Sequence, residues 1–455
     1  MFASSAIPAE VRGLCERLRA AGQQAFIVGG SVRDLLLGRP PGDFDVATDA
    51  RPERTMQLFG SRYALPTGLQ HGTVTVRVGE PPGARAVEVT TFRGEGAYLD
   101  GRRPAQVTFS TSLEEDLSRR DFTMNAIAYD PATGAIIDPW RGRDDIALST
   151  IRTVGDPLLR FGEDGLRPMR AVRQAAQLGF HLDPATRTAI PLTVASFRKV
   201  SAERISDELR KLLLAPVPSH GLELMRDTNL MAEVLPELLA TVGCTQNRFH
   251  RYDVYAHTLA TVDAVPPDFV LRMAALLHDV GKPKSKAPRE GAPGEYNFFR
   301  HEQVGSEMAK VVCTRLKLSA ALRDCITALV AGHMFFYTPS WTDGTVRRFV
   351  RRAGRENLPL LFALREADIA ARGRGEDTQG ETRELCQRIA QVAADDAALR
   401  VTDLAIDGRD VMRLLDIPAG RRVGQVLEEL LERVLDDPKL NGRATLEDLV
   451  KQMGR

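Results

Sequence analysis

Short apolar runs and helical repeats of apolar residues occupy different parts of the chain. Before residue 150, apolar and β-branched runs bounded by Gly and Pro predict strands at residues 25–28, 44–46, 73–78 and 86–91. From about residue 155 onward, apolar positions recur at helical spacing almost to the end of the chain. We therefore predict an α+β protein, in which a small head with a mixed sheet is followed by an all-helical neck, body and tail.

A chain of 455 residues is too long for one hydrophobic core, so several domains are expected. Clusters of Pro, Gly and charged residues interrupt the helical pattern near residues 215–218, 285–295 and 372–380. For the head, neck, body and tail, the predicted bounds are 1–150, 151–240, 241–375 and 376–455.

Composition limits the class of protein without identifying it. The net charge is +1, and the hydrophobic and charged fractions of 43% and 27% are those of a soluble globular protein. The five cysteines include no C-x-x-C pair, which argues against a zinc ribbon or a disulfide framework and favours a reducing cytoplasm. We find no signal peptide and no apolar run of about 18 residues, so we expect neither a membrane span nor a membrane partner.

One segment near the N-terminus combines features suited to a nucleoside triphosphate. Gly29 and Gly30 let the backbone approach a phosphate closely at the start of the next predicted helix, which carries Arg33. Asp43 and Asp45 lie two residues apart, so on an extended strand both carboxylates would point to one face, where Mg²⁺ could bind. A D-x-D pair alone is more commonly a surface turn, but the ordered combination favours nucleotidyl transfer.

A second polar segment, DLSRRDFTMNA, lies in a stretch that we predict to be helical over residues 113–128. Arg119 and Arg120 provide guanidinium groups suited to triphosphate oxygens. Asp121 and Asn125 lie four residues apart, hence on one face of that helix, where they could hold a ribose hydroxyl or orient the arginines. A solvated salt-bridge face is the alternative explanation of the same pattern.

Four segments, in order, resemble the motifs of class II nucleotidyltransferases, the family of the CCA-adding enzymes of tRNA and the bacterial poly(A) polymerases. GGSVRD with DFD is similar to the metal-binding motif, RRDFTMNA to the ribose and triphosphate motif, GEDGLRPMR to the base-selecting motif and AERISDEL to the neck-helix motif. The match covers roughly residues 20–215. The resemblance implies in-line attack of an RNA 3′-hydroxyl on the α-phosphate of a nucleotide, with Asp43 and Asp45 holding Mg²⁺.

The base-selecting motif agrees with hydrogen-bond chemistry. Asp164 and Arg167 lie three residues apart, on one side of a predicted helix. A carboxylate accepts and a guanidinium donates, which matches the pairing edges of cytosine and adenine but not those of uracil and guanine. Taken alone, the pair would be explained by a surface salt bridge; within the ordered motifs we favour a protein template for the base. The resemblance also implies nucleotide binding by Arg170 and Arg173.

Two further residues are candidates for the same site. Glu88 lies on a predicted strand and could be a third metal-binding carboxylate, although the pattern does not fix which face of the strand it takes. Arg93 follows that strand and could contact a phosphate or the base-selecting motif.

Other segments bear on which member of the family this is. TGLQHGTVTV resembles the segment found in CCA-adding enzymes rather than the basic, aromatic segment of poly(A) polymerases. Residues 93–104 resemble a flexible loop that enzymes adding only CC lack. We therefore expect addition of CCA to tRNA from CTP and ATP, with an enzyme that adds only the terminal A, or a poly(A) polymerase, as the alternative. No protein partner is implied.

A second group of metal-ligand residue types lies in the predicted helical body. The segment LRMAALLHDVGKP, with a His before it and an Asp after it, resembles the HD superfamily of metal phosphohydrolases. That resemblance implies a divalent transition metal such as Ni²⁺ or Mn²⁺. It maps the metal ligands onto His257, His278, Asp279 and Asp368, with His301 and His333 as extra ligands or phosphate contacts.

Whether this body is catalytic stays open at the level of sequence. A helical tRNA-holding body that has kept its metal ligands is the alternative. A protein of a different class, an HD phosphohydrolase whose head only binds nucleotide, also fits the second group. The intact head residues count against it: Asp43, Asp45, Asp164 and Arg167.

Overall fold

The computed structural model describes residues 2, 4–80, 83–94, 108–247, 250–292, 294–372, 379–394 and 400–454. The chain divides into two compact units, Met1–Pro236 and Glu237–Arg455. Most of the segment predicted to be a flexible loop at residues 93–104 lies outside the described residues, and so does the predicted domain boundary at residue 375.

Seven strands of unit 1 form one sheet: β1 (Ala25–Val28), β2 (Asp45–Thr48), β3 (Ala64–Gly68), β4 (Thr73–Val78), β5 (Arg85–Thr91), β6 (Ala128–Tyr129) and β7 (Ile136–Ile137). Their order is β3-β4-β5-β2-β1-β6-β7. β2 and β5 run parallel and the other neighbours are antiparallel, so the sheet is mixed, as predicted. Alternate residues such as Val74, Val76, Val87 and Val89 are buried, which explains the period-two pattern of β4 and β5.

Along the chain, the helices of unit 1 lie before, between and after the strands of this sheet. They are α1 (Ala9–Ala20), α2 (Gly30–Leu36), α3 (Pro52–Phe59), α4 (Leu113–Ser118), α5 (Gly142–Ala147), α6 (Pro157–Glu163), α7 (Arg167–Leu178), α8 (Pro184–Leu192), α9 (Val194–Phe197), α10 (Ala202–Leu213), α11 (Pro218–Asp227) and α12 (Leu230–Val234). β8 (Thr150–Ile151) and β9 (His181–Leu182) form a short parallel pair. β8 and β9, of two residues each, were not predicted.

The helix predicted over residues 113–128 is wrong beyond Ser118, where α4 ends. The carboxylate of Asp121 accepts hydrogen bonds from the backbone N–H of Phe122 (2.9 Å) and from the side-chain amide of Asn125 (3.0 Å). These local bonds offer the chain an alternative to the helical ladder. A short 3₁₀ turn follows, and the chain then enters β6.

The helix predicted to carry both Asp164 and Arg167 is divided into α6 and α7. Asp164 lies between them with an extended backbone, φ −136° and ψ 107°, and Arg167 is the first residue of α7. A Cβ atom on Gly165 would lie 2.2 Å from the carbonyl oxygen of Ser196, so the backbone passes too close to a neighbouring segment for a larger residue. The helical i,i+3 relation that we expected is therefore replaced by a break.

The rest of the chain is helical apart from one hairpin, over the residues described. The helices are α13 (Pro236–Leu239), α14 (Val254–Ala264), α15 (Phe269–Leu277), α16 (Lys282–Ser285), α17 (His301–Arg315), α18 (Ala320–Gly332), α19 (Asp343–Ala353), α20 (Leu358–Ala371), α21 (Gln379–Ala394), α22 (Gly408–Leu415), α23 (Arg421–Asp436) and α24 (Arg443–Met453). The hairpin, which was not predicted, pairs β10 (Lys286–Pro288) with β11 (Tyr296–Phe298). The predicted α+β class is confirmed, with this hairpin as an addition.

Helix α15 forms the centre of unit 2. The carboxylate of Asp268 caps its first turn by accepting the N–H of Leu271 (2.9 Å), and nearly every residue of the helix is buried. Because α15 is buried on all sides, it holds the residues that follow it in fixed positions. His278 and Asp279 are the first two of these residues. Within the described ranges, no helix has the length and apolar character needed to cross a membrane.

Two candidate active sites

The predicted carboxylates of the head meet at the start of β2. Asp45 is the first residue of β2 and pairs in register with Glu88 of the parallel strand β5, so their side chains share one face of the sheet. Burial and the charges of Asp43 and Glu88 together raise the pKa of Asp45 to about 6, with Arg120 opposing the rise. The three carboxylates therefore repel one another, and a bound cation would relieve the repulsion.

Gly29 ends the neighbouring strand β1 with φ +77°. A Cβ atom there would lie 2.8 Å from Nη1 of Arg120 and 3.9 Å from Oδ2 of Asp45. Only glycine combines this backbone conformation with room for the guanidinium group. Gly29 thus lets the guanidinium group of Arg120 and the carboxylate of Asp45 approach the backbone from the same side.

Arginine side chains gather around one buried carboxylate, that of Asp116. Its Oδ1 accepts from Nε of Arg119 and from the backbone N–H of Arg93 (both 3.3 Å), and its Oδ2 accepts from Nη2 of Arg120 (3.2 Å). Burial alone would raise the pKa of Asp116, but Arg120, Arg119 and Arg93 lower it below its ordinary value. An ionised Asp116 therefore fixes three cationic residues along one wall.

Asp121 is the centre of a second network. Its Oδ2 accepts from Nε and Nη2 of Arg170 (2.9 and 2.6 Å), and its Oδ1 accepts from the amide of Asn125 (3.0 Å). The oxygen of that amide in turn accepts from Nη1 of Arg33 (2.8 Å), and Gln174 bonds to both Arg33 and Asn125 (3.2 and 3.0 Å). Asp121 and Asn125 thus orient Arg170 and Arg33, rather than Arg119 and Arg120 of their own segment.

The neck helix α10 contributes a carboxylate to the same region. Glu208 is buried, and its Oε2 accepts from Nε of Arg173 (2.8 Å), while its Oε1 lies 3.8 Å from Nη1 of Arg170. Arg173 also donates to Gln177 (2.6 Å). The Glu208 carboxylate links α10 to α7, so Arg173 serves this junction in the structure.

Asp164 and Arg167 are each held by other residues. The two oxygens of Asp164 accept from the backbone N–H of Leu166 (3.0 Å) and from Nη2 of Arg204 (2.9 Å). Arg167 donates to Glu163 (2.5 Å) and to the carbonyl oxygens of residues 160 and 119 (2.8 and 3.0 Å). These bonds fix both side chains in place before any base is present.

These groups line one open cavity of about 390 Å³. Of the predicted head residues, nine line it: Asp45, Glu88, Arg93, Arg119, Arg120, Asp121, Asp164, Arg167 and Arg170. Six others are not among the lining residues: Gly29, Gly30, Arg33, Asp43, Asn125 and Arg173.

Sequence reasoning missed the carboxylates that hold the arginines. Asp116 precedes Arg119 and Arg120 by three and four residues, and this helical spacing would have identified it. Glu163 and Glu208 bind arginines in the same way, but only the relation of Glu163 to Arg167 is local in the sequence.

In unit 2, the six predicted metal-ligand residues come together from separate helices. His257 is on α14, Asp368 on α20, and His301 begins α17, while His333 follows α18 and the pair His278–Asp279 follows α15. All six are buried. They form two clusters in which the ligand atoms lie within 4.8 Å of one another: His257, His278 and Asp368; and Asp279, His301 and His333.

Asp279 joins the two clusters. Its Oδ2 lies 3.1 Å from Nε2 of His278 and 3.6 Å from Nε2 of His257. Its Oδ1 lies 3.3 Å from Nε2 of His301 and 3.7 Å from Nε2 of His333. One carboxylate therefore presents one oxygen to each cluster, which is the arrangement of a bridging ligand.

Backbone hydrogen bonds orient three of the histidines with Nε2 toward the ligand clusters. Nδ1 of His278, His301 and His333 each lies 2.7 Å from a backbone carbonyl oxygen, which fixes the proton on Nδ1 and leaves Nε2 as the ligand atom. Burial lowers the pKa of His333 to about 3, with His278 adding to the effect, so its ring is neutral. Nε2 of His257 and Nε2 of His278 lie 3.3 Å apart, close enough for both to bind one cation once they are deprotonated.

Cationic side chains surround the metal-ligand residues. Lys282 donates to Asp279 (2.6 Å), and Arg365 and Arg372 donate to Asp368 (3.1 and 3.3 Å). Burial alone would raise the pKa of Asp279, but His278 and Lys282 hold it well below its ordinary value. A cavity of about 450 Å³ opens beside these residues and is lined by His301, His333, Lys282 and Arg372, among others.

Comparison with known families agrees with both sites. The family described as the Poly A polymerase head domain matches residues 25–152. The family described as the probable RNA and SrmB-binding site of polymerase A matches residues 179–241, and the HD domain family matches residues 253–373.

Among curated proteins, the CCA-adding enzyme of Geobacillus stearothermophilus is 49% identical over 223 residues, which are 49% of this chain and 54% of that protein. In such alignments the chain spans about half the length of the curated relatives it matches. The solved CCA-adding enzyme of Thermotoga maritima, complexed with tRNA, is 17% identical with a TM-score of 0.54 over 97% of this chain and 94% of that one, and supports the fold alone.

A solved relative extends the similarity to nearly the whole chain. The crystal structure of the Bacillus stearothermophilus CCA-adding enzyme in complex with CTP is 31% identical, with a TM-score of 0.69. The alignment covers 98% of this chain and 97% of that one. Ordered motifs, the head cavity and this full-length similarity together make the chain a member of the CCA-adding enzyme family of nucleotidyltransferases.

Proposed function

We propose that this chain adds CCA to the 3′ end of tRNA, using CTP and ATP and no nucleic-acid template. The observation that carries the proposal is the head cavity, whose lining combines the paired carboxylates Asp45 and Glu88 with several arginines and with Asp164 and Arg167. Family membership and the CTP bound to the Bacillus relative support it. The proposal includes the four-domain division predicted from sequence and a cytoplasmic location.

Mg²⁺ is the cofactor that fits the head. Asp45, Glu88 and Asp43 would hold it, since their mutual repulsion and the raised pKa of Asp45 call for a cation. When bound, Mg²⁺ would activate the attacking hydroxyl and neutralise charge that develops on the phosphates.

The protein groups then have separate tasks. Arg119 and Arg120, held by Asp116, would bind the triphosphate through charge-assisted hydrogen bonds. The 3′-oxygen of the tRNA forms a bond to the α-phosphorus as the bond to pyrophosphate breaks, and the arginines stabilise the charge on the leaving group. Arg170, held by Asp121, would complete the cationic wall.

Base selection would be the task of Asp164 and Arg167. The fixed carboxylate accepts from the amino group of cytosine or adenine, and the guanidinium donates to the ring nitrogen beside it. Uracil and guanine present a carbonyl group and an N–H in those places, which would leave buried groups unpaired.

The addition reaction tests this proposal directly. Purified protein would be incubated with labelled CTP or ATP and with tRNA ending before CCA, after C and after CC. We expect C, C and A to be added in that order and addition to stop there. Addition of A only after CC would identify an A-adding enzyme instead, and long A tails on unrelated RNA would identify a poly(A) polymerase.

A second function, metal-dependent phosphohydrolysis in unit 2, is favoured by one observation, the bridging position of Asp279 between two ligand clusters. His257, His278 and Asp368 would hold one ion and His301 and His333 the other. Lys282 and Arg372 could bind a phosphate beside them. Release of phosphate from phosphomonoesters or of an opened product from cyclic nucleotides, dependent on added Ni²⁺ or Mn²⁺, would test it.

A further inference from the structure

Arg204 on the neck helix α10 touches the carboxylate that we assign to base selection. Its Nη2 donates to Oδ2 of Asp164 (2.9 Å), while Oδ1 of Asp164 accepts the N–H of Leu166 (3.0 Å). Each oxygen of Asp164 thus has its own donor: Oδ1 bonds to the backbone two residues later in the same turn, and Oδ2 bonds to a side chain of a separate helix. Arg204 itself is not part of the cavity lining.

The helix that carries Arg204, α10, is held firmly against α7. Arg204 lies in the first turn of α10, and Glu208, one turn later, is buried and accepts from Arg173 of α7 (2.8 Å). Leu209 and Leu212 of the same helix are fully buried. The guanidinium group that donates to Asp164 is therefore carried by a helix, α10, which an ion pair and buried leucines hold in place.

The orientation of Asp164 matters because a carboxylate selects a base through the direction of its lone pairs. Asp164 lies in the break between two helices, and its side chain is 28% exposed, so no helix or tight packing fixes its rotation. Released from Arg204, the carboxylate could turn toward another cation such as Arg170, whose pKa is raised mainly by Asp121 and also by Asp164.

We propose that Arg204 is a positioning residue for nucleotide selection, which orients the Asp164 carboxylate toward the amino group of cytosine or adenine. This inference rests on the proposed function. It predicts that the loss of Arg204 weakens discrimination between bases while the arginine wall and the carboxylates of β2 and β5 remain intact.

The test compares Arg204→Gln, Arg204→Lys and a control, Arg198→Gln. Arg198 donates to Glu233 (2.8 and 2.7 Å) on the exposed surface of the same unit and does not line the cavity. For each protein, kcat/KM would be measured for CTP and for UTP on tRNA that lacks CCA, at one Mg²⁺ concentration.

With Arg204→Gln, we expect the ratio of kcat/KM for CTP over UTP to fall by about tenfold, as for the loss of one charge-assisted hydrogen bond, mainly through a higher KM for CTP. Arg204→Lys should keep most of the ratio because the ammonium group still donates, and Arg198→Gln should keep all of it. An unchanged ratio in Arg204→Gln, or equal losses with CTP and UTP, would overturn the positioning role. If the wild-type protein adds neither C nor A to tRNA, the proposed function itself fails.

Discussion

At the scale of single residues, Asp45 is the carboxylate that we propose to hold Mg²⁺ in the head, and its surroundings disfavour its ionised form. Its pKa of about 6 means that burial and the neighbouring charges disfavour the ionised form in the folded protein. Asp45→Asn should therefore lower nucleotide addition by about 10³-fold or more. The same change should raise the stability of the Mg²⁺-free protein by roughly 1–2 kcal/mol, since it removes the repulsion.

Asp49→Asn is the matched control for that prediction. Asp49 follows the same strand but accepts the backbone N–H of Gln24 (2.7 Å) and does not line the cavity. It should keep addition and lose stability, the reverse of Asp45→Asn. Addition rates and thermal unfolding with a chelator present would measure both, and normal addition by Asp45→Asn would contradict the role of the carboxylate.

Asp121 has the opposite electrostatics. Burial alone would raise the pKa of Asp121, but Arg170 and the amide of Asn125 hold it well below its ordinary value. Ionised Asp121 therefore stabilises the fold at every pH above the unfolded-state pKa of about 3.9, and this contribution is lost as pH falls through the lower folded-state pKa. Asp121→Asn should lower the free energy of unfolding by about 2 kcal/mol at neutral pH.

Urea unfolding of the wild type and of Asp121→Asn at two pH values would check the sign. The difference between the two proteins should be full near neutral pH and should begin to shrink below about pH 4, where the carboxylate of the unfolded wild type takes up a proton while the folded one is still ionised. A difference that stays constant down to about pH 2 would show that the amide of Asn125 and packing, rather than charge, hold the site.

At the scale of elements, local pattern predicted β1, β2, β4, β5 and most helices, but long-range pairing set the sites. The sequence of β5 alone does not show which face of the sheet Glu88 lies on. That face is set by the parallel register with Asp45, which is 43 residues earlier in the chain. Asp164 and Arg167 were expected on one helix. The chain breaks between α6 and α7 at Asp164 and Gly165, where Gly165 passes close to Ser196; Pro168 at the start of α7 was a local signal of the break, but the contact with Ser196 was not readable from the sequence.

Gly281 shows how one element positions another in the metal site. A Cβ atom at this position would lie 2.2 Å from the carbonyl oxygen of His301 and 2.6 Å from the backbone nitrogen of Gly305, both in α17. Gly281→Ala would therefore push the start of α17, with the His301 ligand, away from Asp279. We expect a loss of about 1–3 kcal/mol in stability and of one of two bound metal ions per chain.

Gly424→Ala is a suitable control, because a Cβ atom at that helical position meets nothing within 4 Å. It should leave metal content unchanged and be neutral or slightly stabilising. Metal analysis after dialysis against Mn²⁺ would measure the stoichiometry of both variants. Equal metal content in Gly281→Ala and the wild type would argue against the close packing of α17 as the support of the second cluster.

At the scale of the whole molecule, each unit contains a full set of groups for its own chemistry. The residues around the head cavity all belong to unit 1, and the residues of the two metal-ligand clusters all belong to unit 2. The sequence motifs predicted both groups because each motif is local. The bridging geometry of Asp279 depends on five separate helical segments and became visible only in the fold.

This separation predicts that the two activities can be lost independently. His278→Ala removes a buried ligand that lies 3.1 Å from Asp279 and 3.3 Å from His257, so phosphohydrolysis dependent on Ni²⁺ or Mn²⁺ should fall to background. CCA addition should stay within about twofold of the wild type, because the residues that line the head cavity all belong to unit 1. Asp45→Asn should give the reverse pattern. Loss of both activities in either variant, with each unit still folded by circular dichroism, would mean that the units share one functional site.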